Sequence, residues 1–402
     1  LSKQCGYLLK YLNNPSESNV VRSEIFSFMF DCVVVGAGPA GGTAAYHLAK
    51  HGRSVLILER EALPRYKACS GGVSPAIAQW FDFDFSPAIS LKVEAIRYTW
   101  KLGDPVDATL DTPEPMWMVR REVFDHFLIQ QAQKQGAELR DQTSVTGIQF
   151  QGDHWQVNTS NGPVEARYLI AADGAKGPMA KWLGFKERKT RMGAVMEAPK
   201  SSQDDRAQFD FGIVKNGFIW NLPKNDGYSI GTSTFRGGDG EDLKADLAEY
   251  ASLAGIDAKG SQIHQHPICL WDGDQKLHAQ NALLAGETAC VVDPFTGEGI
   301  RPSMFSGMKA AEAIDRSLSG DRAALANYTE IIQKEWGVDM VWAQRLAGVF
   351  YRVPGIGYKV GVKRPTATDR LGKIMCGEMR YADVATRALK RLSGSLIPGM
   401  GG

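Results

Sequence analysis

The stretch that decides the fold is DCVVVGAGPAGG, residues 31–42. Val33–Val35 is a β-branched run suited to a buried parallel strand, and Ala40–His51 reads as a helix rich in small residues. Gly36 permits the tight turn, Gly38 lets backbone approach a pyrophosphate, and Gly41 lets the helix pack close to the strand. The helix N-terminus then offers free N–H groups and the positive end of its dipole to the phosphates. A second apolar run, Ser54–Leu58, ends at Glu59, whose carboxylate can accept both hydroxyls of an adenosine ribose. A lone glycine trio is open to chance, but strand, helix, second strand and terminal acid together describe a dinucleotide site. An NADP site would set a base in the acid's place; here Arg60 only follows it, which disfavours NADP.

The 402 residues, 44% hydrophobic and 23% charged, make an ordinary globular chain with room for two or three packed units. A formal charge of +1 argues against nucleic acid as the main partner. The charge is unevenly spread: residues 351–402 carry ten Lys/Arg against three Asp/Glu, a basic end suited to a diphosphate, an anionic head group or a membrane face. The six cysteines form no CxxC pair, so neither a disulfide framework nor a metal site is expected. No apolar run is long enough to cross a bilayer, and the first residues lack a signal-peptide layout. The expectation is a cytoplasmic protein with peripheral membrane contact at most. Residues 1–30, polar and containing NNPSESN, are expected to be a disordered extension outside the fold.

Along the chain, the loop EALPRYKACSGGVSP (61–75) is barred from regular structure by its Pro, Gly and Ser content. Residues 91–110 alternate as a short meander, and 123–135 form a helix closed by Gly136. Strands follow at 149–150, 155–159 and 166–170, then a strand-rich stretch from 193 to 234 with an Asp-Gly hairpin in NDGYSIG. Helices are expected at 243–254 and 306–317 and through the chain's end. Glycine-rich turns suited to a cofactor recur near 173 and at 286–299. The cofactor domain is therefore expected to be discontinuous, 31–185 and 276–340, with a strand-rich substrate domain at 186–275 and a basic helical segment at 341–402.

The motifs GAGPAG with Glu59, PRYKACSGGVSP, VRREVFD (119–125), AADGAKG (171–177), GFIWNLP (217–223) and AGETACVVDPFTGEGI (285–300) stand in a recognisable order. Over roughly residues 31–320 the chain resembles the geranylgeranyl reductase family, within the para-hydroxybenzoate-hydroxylase-type FAD-dependent oxidoreductases. The resemblance implies an α/β fold in which a discontinuous Rossmann-like FAD-binding domain carries an inserted antiparallel sheet, with FAD as cofactor. It assigns cofactor contact to Gly36, Gly38, Pro39, Ala40, Gly41, Glu59 and Arg60, to Arg121 on the pyrophosphate side, and to Val145 at the adenine. Asp173 and Gly174 fall near the flavin, Glu287 stands where the family has aspartate, and Pro294, Gly297, Gly299 and Ile300 meet the flavin pyrimidine at a helix start.

Lys67 and Cys69 are placed by the resemblance beside the reacting ring as catalytic residues, although Ser70 interrupts the family's Cys-Gly-Gly. Read without it, Cys69 is equally an inert small apolar residue. Phe218, Trp220 and Leu222 share a strand face and, with Trp117, would wall a substrate pocket; taken alone, three large residues on one face describe plain core. His264 and His266 also share a face but lack a third ligand, so they read as surface histidines and no metal is expected.

The implied activity is reduction of carbon–carbon double bonds in a geranylgeranyl or related isoprenoid chain. No second glycine fingerprint exists for a nicotinamide domain, which leaves NADPH binding transiently or a ferredoxin-like protein as electron donor. A flavin monooxygenase or halogenase, a lycopene-cyclase-like isomerase and a non-catalytic prenyl-binding escort share this architecture and stay open as rivals.

Overall fold

β1 (Phe30–Val35) leads through the glycine turn into α1 (Pro39–Lys50), and β2 (Val55–Leu58) returns parallel to β1 with Val33 opposite Leu56. The computed structural model describes residues 29–235, 242–258, 260–273 and 276–386, so the expected extension lies outside the described residues except for its last two. The strand Val164–Ala171 flanks β1 on the other side, also parallel, which buries β1 between neighbours as its β-branched run requires. Glu138–Arg140 continues the parallel order beyond β2, and Ala282–Leu284 continues it beyond Val164–Ala171. The late segment thus rejoins the first sheet after a long excursion, the discontinuity that the recurring glycine turns imply. α2 (Arg121–Lys134) and α3 (Ile300–Leu318) pack against α1.

Two glycines make the front of this sheet possible. Gly36 has φ +105°, and a Cβ there would stand 2.3 Å from the Ala172 carbonyl oxygen. A Cβ on Gly41 would meet the Gly36 carbonyl oxygen at 1.9 Å, so α1 can cross the strand end only with glycine there.

The excursion builds a seven-stranded sheet in the order Ile263–Ile268, Arg191–Pro199, Gly227–Thr234, Gly217–Pro223, Ala207–Phe211, Ala95–Trp100 and Gly103–Thr109. All its pairings are antiparallel except that of Ala207–Phe211 with Ala95–Trp100. The hairpin 95–109, expected within the cofactor-domain stretch, instead extends this second sheet; its partner strand is over a hundred residues away, beyond the reach of local pattern.

A second correction concerns the cysteines. Cys269 and Cys290 form a disulfide, their Cα atoms 4.7 Å apart across 21 residues. The fold brings the end of the edge strand Ile263–Ile268 beside the turn after Gly286–Ala289, a proximity with no CxxC spacing to announce it.

Candidate active site

A single chamber of about 590 Å³ runs from the glycine turn to the inner face of the second sheet. At one end α1 begins with Gly38 as its cap, and no side chain occupies the free N–H groups there. A Cβ on Gly38 would meet no atom within 4 Å, so the space over this N-terminus is open. α3 starts from Gly299, with Gly297 at φ +74° before it, and the Glu298 carboxylate accepts the Arg301 N–H at 2.8 Å, so only part of its first turn is open. Two helix N-termini therefore face one chamber, the arrangement that holds a pyrophosphate at one and an electron-rich ring at the other.

Glu59 closes β2 and is only 5% exposed. Its carboxylate accepts the Ala37 N–H at 3.0 Å and pairs with Arg65 at 3.2 Å, which fastens the glycine turn to the strand end. Arg65 also reaches Asp125 at 3.2 Å, and Asp125 holds Arg121 by two 2.8 Å bonds. Burial opposes the Arg121 charge, but the facing Asp125 carboxylate outweighs it and raises the guanidinium above its usual value. The sequence singles out Glu59 and Arg121, both of which line the chamber, but not Arg65 and Asp125, which join them, although the i,i+4 spacing of Arg121 and Asp125 is a legible sign.

On the far wall, Asp173 accepts the Met179 N–H at 2.9 Å and lies 3.0 Å from the Thr288 hydroxyl, which in turn accepts the Gly174 N–H at 2.8 Å. Burial pushes the Asp173 carboxyl up. Asp293 accepts the N–H groups of Phe295 and Thr296, a turn that leaves Pro294 buried behind the wall rather than lining it. Gly41 likewise serves packing and does not line the chamber, whereas Pro39, Ala40, Arg60, Val145, Gly174, Gly297, Gly299 and Ile300 do.

Where the chamber passes into the second sheet, Lys67, His266 and Glu287 converge. Lys67 Nζ lies 2.7 Å from His266 Nε2, and Glu287 Oε2 lies 3.1 Å from the same nitrogen and 3.5 Å from Lys67. Burial would raise the Glu287 carboxyl, but Lys67 and His266 prevail and hold it at about 2. The same burial lowers Lys67 and His266. His266 is thus a chamber residue, correcting its reading as a surface histidine: the edge strand turns it inward. Among the described residues no group of His, Cys, Asp and Glu could hold a metal ion.

Cys69 lines the chamber next to Lys67, with its Sγ 3.4 Å from the Gly71 N–H. Phe218, Trp220 and Leu222 all line it too, joined by Phe209 and Phe350. Trp220 pairs across the strands with Gly231, where a Cβ would collide with its ring at 2.2 Å; the glycine makes room for the indole. Trp117 does not join this wall. In the strand Met116–Met118 its neighbour Met116 faces the chamber, and alternation turns Trp117 to the opposite side, against Phe85 and Phe124.

The open glycine cradle, the uncapped start of α1 and the buried carboxylate at the end of β2 fit FAD. The FAD binding domain family matches residues 29–216. An uncharacterized protein of Methanosarcina barkeri is 31% identical over 303 residues, 74% of this chain and 78% of that one. The geranylgeranyl diphosphate reductase of Rhodobacter capsulatus is 27% identical over 400 residues, 92% of this chain and 99% of its own length. Among solved structures, a geranylgeranyl bacteriochlorophyll reductase-like protein of Thermoplasma acidophilum superposes with a TM-score of 0.72 at 22% identity, covering 87% of this chain and 91% of that one. The glycine turn, the FAD-binding match and these relatives converge on one assignment: the chain is an FAD-dependent oxidoreductase that belongs to the same family as the Methanosarcina barkeri protein, and it is similar to the geranylgeranyl reductases.

Proposed function

We propose that this protein reduces carbon–carbon double bonds in a geranylgeranyl or related isoprenoid chain. The observation that carries the reading is the continuity of the chamber: the nucleotide cradle opens directly onto an aromatic wall of Phe218, Trp220, Phe209 and Phe350, with Lys67 and Cys69 at the junction. Bound FAD, once reduced, supplies two electrons as a hydride; the protein's tasks are orientation, electrostatics and exclusion of water. The glycine cradle, Glu59 and the α1 N-terminus would hold the ADP portion, and Gly297–Ile300 would hold the flavin end, with Glu287 anchored to Lys67 and His266 beside it. An isolated trisubstituted alkene is a poor hydride acceptor, so positive charge develops at its tertiary carbon as a proton arrives. The Trp220 face stabilises that charge through its quadrupole, and the Cys69 thiol gives the proton.

The substrate's amphiphilic nature extends to the surface. Val338, Val341, Leu346, Val349, Val353, Ile356 and Val360 are exposed on the helices that follow residue 337. The exposed charges in 338–364 are Arg345, Arg352, Lys359, Lys363 and Arg364, all basic; Lys363 pairs with Asp104, and the one acid of the stretch, Asp339, is buried. Phe350, Tyr351 and Val362 of the same segment line the chamber from within. An apolar stripe ringed by cations suits an anionic membrane surface, from which a prenyl chain can pass inward. The electron donor is NADPH or a ferredoxin-like protein.

The decisive experiment is anaerobic: reduce the purified yellow protein, add geranylgeranyl diphosphate or a geranylgeranylated lipid, and follow flavin reoxidation and the saturated product. Reoxidation by oxygen alone, with a hydroxylated product, would replace this reading by a monooxygenase.

A further inference from the structure

Behind the Cys69 loop lies a second cavity of about 70 Å³ that the reaction above leaves without a role. Lys224, Glu197, Arg120 and Glu122 line it, while Tyr66, Lys67, Cys69 and Arg121 border both this cavity and the chamber. Cys69 therefore stands in the partition between an apolar reaction space and a small polar one. A cavity of this size accommodates about two waters, and these walls supply the several polar partners each requires.

Lys224 is 2% exposed, a rare condition for lysine. Its hydrogen bond goes to the Ser70 carbonyl at 2.7 Å, immediately after Cys69, and burial pulls its ammonium down to about 8. Across the cavity, burial pushes the Glu197 carboxyl up to about 6 against the pull of Lys224, Ser229 and Arg120. The Ser229 hydroxyl connects the two sides, 2.9 Å from the Cys69 carbonyl oxygen and 3.1 Å from Glu197 Oε1. Arg120 is committed to Asp226 and Arg121 to Asp125, so the neighbouring guanidinium groups are fixed charges, and Glu122 and Tyr66 complete the titratable surroundings.

We propose that this cavity is a proton-relay site: Lys224, refilled from solvent through Glu197 and the cavity water, returns to Cys69 the proton that the thiol gives to the alkene. The proposal rests on the alkene-reduction reading above. For each double bond, one carbon receives a hydride from reduced FAD, which is thereby oxidised. The S–H bond of Cys69 breaks and its proton forms the C–H bond at the other carbon. The thiolate takes a proton from the Lys224 ammonium, and the amine regains one through Glu197, so the net consumption is one hydride and one solvent proton. Lys224 is a positioning residue in this scheme, acting through Cys69.

The test is multiple-turnover reduction of geranylgeranyl diphosphate by the holoprotein, with dithionite keeping the flavin reduced so that every cycle needs the thiol refilled, across about pH 6 to 9. Wild type is expected to be fast below about pH 8 and to slow roughly tenfold per unit above it. Lys224→Met is expected to be at least ~10-fold slower at neutral pH, with a flattened profile. Lys224→Arg keeps a donor for the Ser70 carbonyl but does not release its proton, so it is expected to be as slow as the methionine variant. Rescue by arginine, or a uniform drop with the wild-type profile, marks a loop clamp and overturns the relay. Glu197→Gln, which keeps the bond to Ser229, is expected to slow refilling by several-fold; wild-type kinetics would remove Glu197.

A second measurement needs no alkene. The alkylation of Cys69 by iodoacetamide, read by peptide mass spectrometry, is expected to slow about fivefold in Lys224→Met and to be retained in Lys224→Arg, because a cation beside the sulfur speeds its attack. Unchanged alkylation in the methionine variant overturns the coupling. Slowed alkylation in a protein whose wild type ignores prenyl alkenes overturns the alkene reading and supports the Lys224–Cys69 link.

Discussion

Lys67 Nζ and His266 Nε2 lie 2.7 Å apart at the junction of the chamber, brought together from a glycine-rich loop and the edge strand of the second sheet, with Glu287 against both. The contact joins three segments that are remote in sequence, and it makes Glu287 an ionised anchor rather than a free acceptor for a ribityl chain. Its carboxyl falls from an ordinary 4.5 to about 2 in the fold. A depressed carboxyl stabilises the folded protein above its unfolded pKa, and that contribution fades as pH falls from about 4.5 to about 2. Glu287→Gln is expected to lose roughly 3 kcal/mol at neutral pH, with the difference half gone near pH 3. Urea unfolding of both proteins across that range measures it, and a pH-independent difference would contradict the ion-pair account.

The glycine cradle separates folding from cofactor binding. Gly36→Ala places a Cβ against the Ala172 carbonyl oxygen at a positive φ, so it is expected to lose both FAD and several kcal/mol of stability. Gly38→Val projects into open space and is expected to fold within about 0.5 kcal/mol of wild type while losing FAD affinity at least ~10-fold. Apo-protein melting and a flavin titration distinguish the two.

The two tryptophans that were expected to share a wall are expected to behave differently. Trp220→Leu opens the chamber, so it should raise KM for the prenyl substrate or lower kcat while FAD is retained. Trp117→Leu should cost about 3 kcal/mol or more through its packing on Phe85 and Phe124 and leave kinetics unchanged below the melting temperature. Equal kinetic effects from both would mean that the strand Met116–Met118 is turned over in solution.

Cys69→Ala tests the reacting end. FAD content should stay at the wild-type level, since the thiol forms no part of the cradle, and alkene-driven reoxidation should fall by ~10²-fold or more. Unchanged turnover would remove Cys69 from the reaction.

The legible parts of this fold were those written in short-range order. Gly36, Gly38, Gly41 and Glu59 announce the βαβ unit because turn, helix and strand follow one another within thirty residues, and Asn225-Asp226-Gly227 announces its hairpin for the same reason. Phe218 and Trp220 were placed on one face because a seven-residue strand establishes its phase. Met116–Met118 is too short to do so, which is why Trp117 was assigned to the wrong side. The pairing of 95–100 with 207–211, the Cys269–Cys290 bond and the Arg65 bridge between Glu59 and Asp125 all join distant segments, and no period or spacing in one sequence encodes them. His266 reads as a surface residue because the sequence shows no third metal ligand for it, and only the docking of Lys67 and Glu287 over its edge strand turns it into part of the site.

The exposed stripe at 338–360 makes a prediction independent of chemistry. Val349 is 67% exposed and Ile356 is 61% exposed, far more than large aliphatic side chains usually are, while the charges around them are cationic. Neither residue lines the chamber, so replacing both by serine leaves the site untouched. Wild type should co-sediment with vesicles containing phosphatidylglycerol and much less with pure phosphatidylcholine, and the binding should weaken as salt screens the basic rim. Val349→Ser with Ile356→Ser should cut vesicle binding about tenfold or more, because each buried aliphatic side chain contributes roughly 1.5 to 3 kcal/mol when removed from water. Turnover of a short-chain, water-dispersed prenyl substrate should remain at the wild-type level, while turnover of a bilayer-embedded one falls with binding. Vesicle binding that ignores both the serines and the salt would place the membrane contact elsewhere, and self-association abolished by the serines would identify the stripe as a subunit interface.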